Sequence, residues 1–300
     1  MTRADVGALF DGLIDDAAVF PPGNAPLDVA VQRHRAHRAA SYAAVVGPLL
    51  VPVSDVEALV AEAGAPDAAG ALRVGLIARP GVDPADVVAA IERLRDEPGV
   101  EVDGAELGWF PGWRDLAVDG LPLTLEIPRG ENRDRALEDV RAGSDEAGHA
   151  VQAKFRTGAT PTWEWPDEAE LGAFIHDAAR LGVPFKLTGG LHHAVRADWS
   201  DDGSDPQHGV LNVLLAIHSA ANDGALPAVE SLLSQRDSRM LADAVADLDE
   251  TEARRVRSLL TAYGCCEVTD PIGELDDLGL LDLDDSDDPQ TDPTEETPAP

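Results

Sequence analysis

Short apolar runs alternate with stretches of helical periodicity along most of the chain. The runs at 17–20, 43–51, 72–78, 102–107 and 121–127 have the length and apolar character of buried strands. Two further runs each carry a lysine, Ala150-Val-Gln-Ala-Lys-Phe-Arg-Thr-Gly158 and Val183-Pro-Phe-Lys-Leu-Thr-Gly-Gly190, and an eighth strand is read at 264–268. Helices are expected at 27–40, after a Ser54/Glu57 capping box, from Asp83 and Pro84 to 95, at 132–141 and at 167–181. Eight strand–helix alternations predict an α/β fold, a (β/α)8 barrel over residues 1–281. The stretch 191–263 is too long for one crossover. It is expected to add helices at 210–221, 239–246 and 250–260, a helical insertion before the last strand. An open doubly wound sheet is the competing topology, but no Gly-x-Gly-x-x-Gly follows the first strand to support dinucleotide binding.

Composition changes this picture at the end of the chain and in the choice of partner. From 282 to 300 the sequence is acidic, rich in Pro and Thr and free of Lys and Arg, so a disordered tail serving solubility is expected. A net charge of −33 argues against nucleic acid or an anionic membrane surface as partner, since phosphates require basic patches. The acidic excess fits a salt-rich cytosol, where screening shortens self-repulsion. The N-terminal residues lack a secretory pattern, and no run approaches the ~18 apolar residues of a membrane span. The adjacent Cys265 and Cys266 are poorly placed to bridge each other, and a reduced, cytoplasmic setting is expected. A small-molecule partner is expected, with no cofactor and no metal, and a homo-oligomer is compatible with the composition.

Of the 23 Lys and Arg residues only Lys154 and Lys186 are lysines. Lysine, unlike arginine, can be driven towards a neutral, nucleophilic form. In a barrel, reacting groups come from the carboxyl-terminal ends of strands. Those ends supply Glu106, Glu126, Lys154, Arg156, Lys186, Thr188, His192 and His193, with Arg79 beside them. Strand alternation puts Lys154 and Arg156 on one face, and likewise Lys186 and Thr188. If both lysines point inward, each disfavours the other's charge, and one becomes able to attack a carbonyl. The competing reading pairs Lys154 with Glu126 and Lys186 with Glu106 as buried ion pairs. Gly189 and Gly190 are candidates for backbone contacts to an anion, with Arg156 and Thr157 beside them. Only one of His192 and His193 is expected to face the site on an extended backbone. It would shuttle protons, or bind a metal with Glu126, Glu106 or His208. Trp109, Phe110, Trp113, Trp163 and Trp165 are candidate pocket walls, and Asp15 and Asp16, before the first strand, read as structural.

Lys154-Phe-Arg-Thr-Gly158 and Lys186-Leu-Thr-Gly-Gly190 resemble the two lysine strands of class I aldolases of the deoxyribose-phosphate aldolase type. That resemblance implies Lys154 as the Schiff-base former, Lys186 as the group that lowers its pKa, and Gly189 and Gly190 as phosphate contacts. Glu101-Val-Asp103 is similar to the strand that carries the family's proton-relay aspartate. Arg156 and His192 depart from the motifs, the 191–263 segment has no counterpart, and Cys265 and Cys266 stand where serines are expected. The whole chain also resembles a prokaryotic (β/α)8 group with Lys-x-Arg-Thr-Gly and Gly-Leu-His-His-type segments that carries no assigned activity. The expectation is a carbon–carbon lyase or related carbonyl enzyme working through a lysine imine on a small anionic substrate. Glu126 or His192 would move protons, and Arg156, Thr157, Thr188, Gly189, Gly190, Glu106 and His193 would bind. The alternatives are a divalent-metal hydrolase or lyase and a non-catalytic metabolite-binding barrel.

Overall fold

The computed structural model describes residues 4–64, 70–200 and 203–283. Eight parallel strands close on themselves in the order β1 (Ile14–Asp16), β10 (Leu260–Cys265), β7 (Phe185–Thr188), β6 (Val151–Arg156), β5 (Leu123–Glu126), β4 (Val100–Gly108), β3 (Leu72–Ile77) and β2 (Val46–Pro52). The short strands β8 (Ala197–Asp198) and β9 (Pro206–Gln207) form a separate antiparallel ribbon. Closure leaves no strand edge unpaired, and the helices cover the outer face, so the strands are buried on both sides. This is the expected (β/α)8 architecture and not the open sheet.

The alternation along β6 shows how sequence becomes layers. Val151, Ala153 and Phe155 point outward and are buried under the helices, where Phe155 stacks on Phe174 of the helix Glu168–Leu181 at 4.6 Å and Phe174 meets Phe185 edge-on at 5.1 Å. The residues between them, Gln152, Lys154 and Arg156, point into the barrel. Gln152 donates to Thr124 Oγ1 at 2.8 Å and accepts from Thr261 Oγ1 at 2.6 Å, which makes a hydrogen-bonded polar layer across the interior. The charged residues lie in the next layer towards the strands' carboxyl ends.

The helices are held by caps that the sequence announces. Asp83 accepts from the backbone N–H of Ala85 and Asp167 from that of Glu170, while Asp249 and Glu252 complete a capping box. The Ser54/Glu57 box does not form. Ser54 sits inside a 3-10 turn, Val53–Asp55, so its hydroxyl donates to Asp55, and Glu57 pairs with Arg93 instead.

The first and last strands begin earlier than expected. Strand β1 is Ile14–Asp16, with its two carboxylates inside the fold, and the apolar run 17–20 becomes a turn at the mouth. Strand β10 starts at Leu260 because the preceding helix, Glu250–Leu259, stops where β-favouring Thr261 and Tyr263 begin. The insertion contains Val210–Ala221, Ser238–Ala246 and Glu250–Leu259 close to expectation, and also Leu226–Leu233, which the periodicity did not reveal. Buried Asn212 fastens it, donating to the carbonyls of Leu232 and Gln235 and accepting from the N–H of Arg196. A further unexpected helix, Thr269–Asp277, follows β10. Apart from Asp282 and Leu283, the expected disordered tail lies outside the described residues. Among the described residues, no helix is long and apolar enough to cross a membrane.

Candidate active site

Strand register sets the charged groups in a row. Glu126 of β5 is level with Lys154 of β6, which is level with Lys186 of β7, and Arg156 is level with Thr188. Glu106 reaches them from β4 and Asp15 from β1. The Lys154 ammonium donates to Glu106 Oε2 and contacts Glu126 Oε2, each at 3.0 Å. Lys186 pairs with the other oxygen of Glu106 and with Asp15. Arg156 Nε donates to Glu126 Oε1 at 3.2 Å. The result is one chain of alternating sign, Asp15–Lys186–Glu106–Lys154–Glu126–Arg156. Both expected ion pairs are present, joined by the shared Glu106. Asp15, read from sequence as a structural residue outside the barrel's active face, anchors one end.

Burial and neighbouring charge act against each other at every member. Burial disfavours the charged form of Lys154, but Glu106 and Glu126 outweigh it and hold its pKa above the ordinary lysine value. Lys186 is held up in the same way by Asp15 and Glu106. For Glu106, burial is overcome by Lys186 and Lys154, and its pKa falls to about 2. Glu126 also falls, as Lys154 and Arg156 exceed the burial effect. Asp15 is the exception: burial prevails over the opposing pull of Lys186 and raises it to about 6. The expected depression of one lysine by the other is therefore reversed. They are near enough to interact, but a carboxylate stands between them.

A cavity of about 1000 Å³ opens above this layer. Lys154, Glu106, Glu126, Arg156, Thr188 and Gly189 line it, and Arg33 and Arg79 reach its wall. Lys186 does not line it and lies beneath. Arg79 packs over the ring of Phe20, 5.2 Å from its centre. Thr157 is buried, with its hydroxyl donating to the carbonyl of Thr188, so it ties β6 to β7 and does not face the cavity. Gly190 is likewise buried, against Thr157. Gly189 has φ +75°, and a Cβ at Gly158 would fall within its carbonyl oxygen. These glycines thus serve close backbone packing, and Gly189 alone of the pair 189–190 borders the cavity.

Both histidines reach the cavity, because the backbone turns at Leu191, φ +64°, and is not extended. His192 lies against two thiols, 3.6 Å from Cys265 Sγ and 3.7 Å from Cys266 Sγ. Burial, then the neighbouring His193, lowers its pKa. His193 is hydrogen-bonded through Nδ1 to Glu274 at 2.6 Å and stacked on Trp199. Glu274 lies 81 residues further along the chain, on a helix with no motif to announce it, and sequence reasoning missed it.

The remaining candidates are divided between the cavity and other parts of the fold. Trp165 borders the cavity, Trp163 is exposed over Arg129, and the Trp109 and Trp113 indoles both donate to Asp139 at 2.8 Å. Asp103 pairs with Arg73 and does not line the cavity. His208 is buried, donating through Nε2 to the carbonyl of Pro166 and accepting from Arg196. Burial, with Arg196, lowers its pKa to about 4. Among the described residues no three His, Cys, Asp or Glu side chains converge as metal ligands.

No family model and no curated protein sequence matches the chain. Among solved structures, it is similar to one described as a "putative phosphonomutase" from Burkholderia cenocepacia J2315, at 17% identity and a TM-score of 0.29, covering 77% of this chain and 90% of that one.

Proposed function

We propose that this protein is a lyase-type enzyme that makes or breaks a carbon–carbon bond beside the carbonyl of a small anionic compound, with Lys154 as the group that meets the carbonyl. The observation that carries this reading is the position of Lys154, a buried ammonium between two carboxylates at the floor of a large cavity. Arg156 and Arg79 on the wall supply the charge to hold an anion. The charged Lys154 donates a hydrogen bond to the carbonyl oxygen and stabilises the negative charge that develops there as the bond breaks. Glu126, partly open to the cavity, accepts or returns the Lys154 proton. Imine formation on Lys154 belongs to the same reading only where a bound ligand displaces one of its carboxylates, since Glu106 and Glu126 together hold the ammonium charged.

The test is a panel of small keto acids, aldehydes and sugar phosphates, assayed for turnover with and without borohydride. Turnover that disappears in Lys154→Met supports the proposal. A borohydride adduct on Lys154 assigns the imine route, and turnover without an adduct assigns the ammonium route. Tight binding of panel members by the wild type without turnover would overturn it in favour of a metabolite-binding barrel.

A further inference from the structure

Opposite the lysine layer, the cavity wall carries an arrangement that the Lys154 chemistry does not use. The Glu274 carboxylate is fixed at both oxygens: Oε1 accepts from His193 Nδ1 at 2.6 Å and Oε2 accepts from the backbone N–H of Ala194 at 2.6 Å. The adjacent N–H therefore locks the carboxylate that orients the ring. Trp199 covers one face of the ring, with centroids 3.3 Å apart and planes inclined by 13°. Three of the ring's degrees of freedom, its tilt, its rotation and its tautomer, are thereby set. His193 borders the cavity, and its Nε2 bonds no described residue and is not sealed from solvent. A histidine used only for packing has no need of this. A carboxylate on Nδ1 with Nε2 left open is the arrangement that makes imidazole a directed base.

We propose that His193 is a catalytic residue, the general base of this cavity, and that Glu274 is its positioning residue. The proposal rests on the Lys154 reading for the reaction it serves. For a β-hydroxy carbonyl substrate, Nε2 takes the hydroxyl proton and the O–H electron pair forms the new C=O. The carbon–carbon bond breaks, and its electron pair moves into the carbonyl group held by Lys154, giving an enolate. In the reverse direction the imidazolium returns the proton to the new hydroxyl.

Two measurements on the full chain test it. The first needs no substrate: ¹⁵N NMR of histidine-labelled protein across a pH titration, with His193 assigned by its loss in His193→Gln. The neutral ring is expected as the Nδ1–H tautomer with a bare Nε2, and Glu274→Gln is expected to shift it towards Nε2–H. A wild-type ring in the Nε2–H form overturns the proposal, whatever becomes of Lys154. The second uses whichever carbonyl compound the panel shows to turn over. His193→Gln is expected to lower kcat by ~10²–10³-fold, with KM changed less than about threefold, and imidazole is expected to restore part of the rate to His193→Ala. Glu274→Gln is expected to lower kcat by about tenfold. Full turnover in His193→Gln overturns the proposal. If nothing in the panel turns over, the Lys154 reading fails while the tautomer still decides for or against an oriented His193.

Discussion

The two lysines stand level on neighbouring strands, yet they occupy different halves of one charge network. Lys186 lies below the cavity between Asp15 and Glu106, and among the described residues no second cation forms an ion pair with Asp15. Lys154 lies at the cavity floor, and each of its carboxylates has a second cation: Glu106 has Lys186 and Glu126 has Arg156. At Asp15 the lower half is therefore single-partnered, and loss of Lys186 strands that buried carboxylate. The upper half is redundant, and redundancy lets a residue exchange its partner for a ligand. Similar local motifs thus carry unequal roles, decided by what the neighbouring strands bring to each.

The sharpest way to break the comparison is Lys186→Met. Stranding Asp15 should cost ~3–5 kcal/mol of folding stability, read by chemical denaturation. A loss below about 1 kcal/mol would contradict the single-partner account. Next is the pH dependence set by Asp15, whose pKa rises to about 6 in the folded state from an ordinary 3.8. The folded state then binds more protons than the unfolded one between those values, so this residue's contribution to stability falls as pH rises from about 4 to about 6. Relative to Asp15→Asn, the wild type should lose on the order of 3 kcal/mol across that window, measured as unfolding free energy against pH. Glu106, held at about 2, acts in the opposite sense, and its stabilisation is present above its ordinary 4.5 and lost as pH falls from there towards 2. Lys154→Met should cost only ~1–3 kcal/mol, because both carboxylates keep a cation, while removing any turnover found. The smallest effect is expected for Arg156→Lys. Stability should change by less than about 1 kcal/mol at this partly exposed site, with weakened binding of an anionic ligand seen by calorimetry.

Much of this was legible in the sequence, and the misses have physical causes. Alternating apolar runs announced the closed barrel, and equal spacing within two similar motifs placed Lys154 beside Lys186. Asp15 was misplaced because Ile-Asp-Asp is a poor strand by pattern, and the more apolar run 17–20 lies immediately after it. Lys186 inside the barrel for Asp15, with His34 and the Ala18 N–H for Asp16, makes that strand tolerable. The depression expected at Lys154 was reversed because carboxylates from two other strands, Glu106 of β4 and Glu126 of β5, stand beside it. Glu274 is joined to His193 purely by tertiary closure of the last helix over the mouth. The rule that neighbouring side chains face opposite ways failed at His192 and His193 because Leu191 turns the chain.

The contact between Gly158 and the Gly189 carbonyl bears on how this chain can change over generations. The segments that leave the two lysine strands touch backbone to backbone at that point. Neither can acquire a side chain, lengthen or shift register there without displacing the other. The loops after β6 and β7, usually the part of a barrel freest to diversify, are bound to drift as one unit. New specificity in this scaffold must be gathered from elsewhere on the rim, from the turn before Arg33, the segment around Arg79 or the helix bearing Glu274.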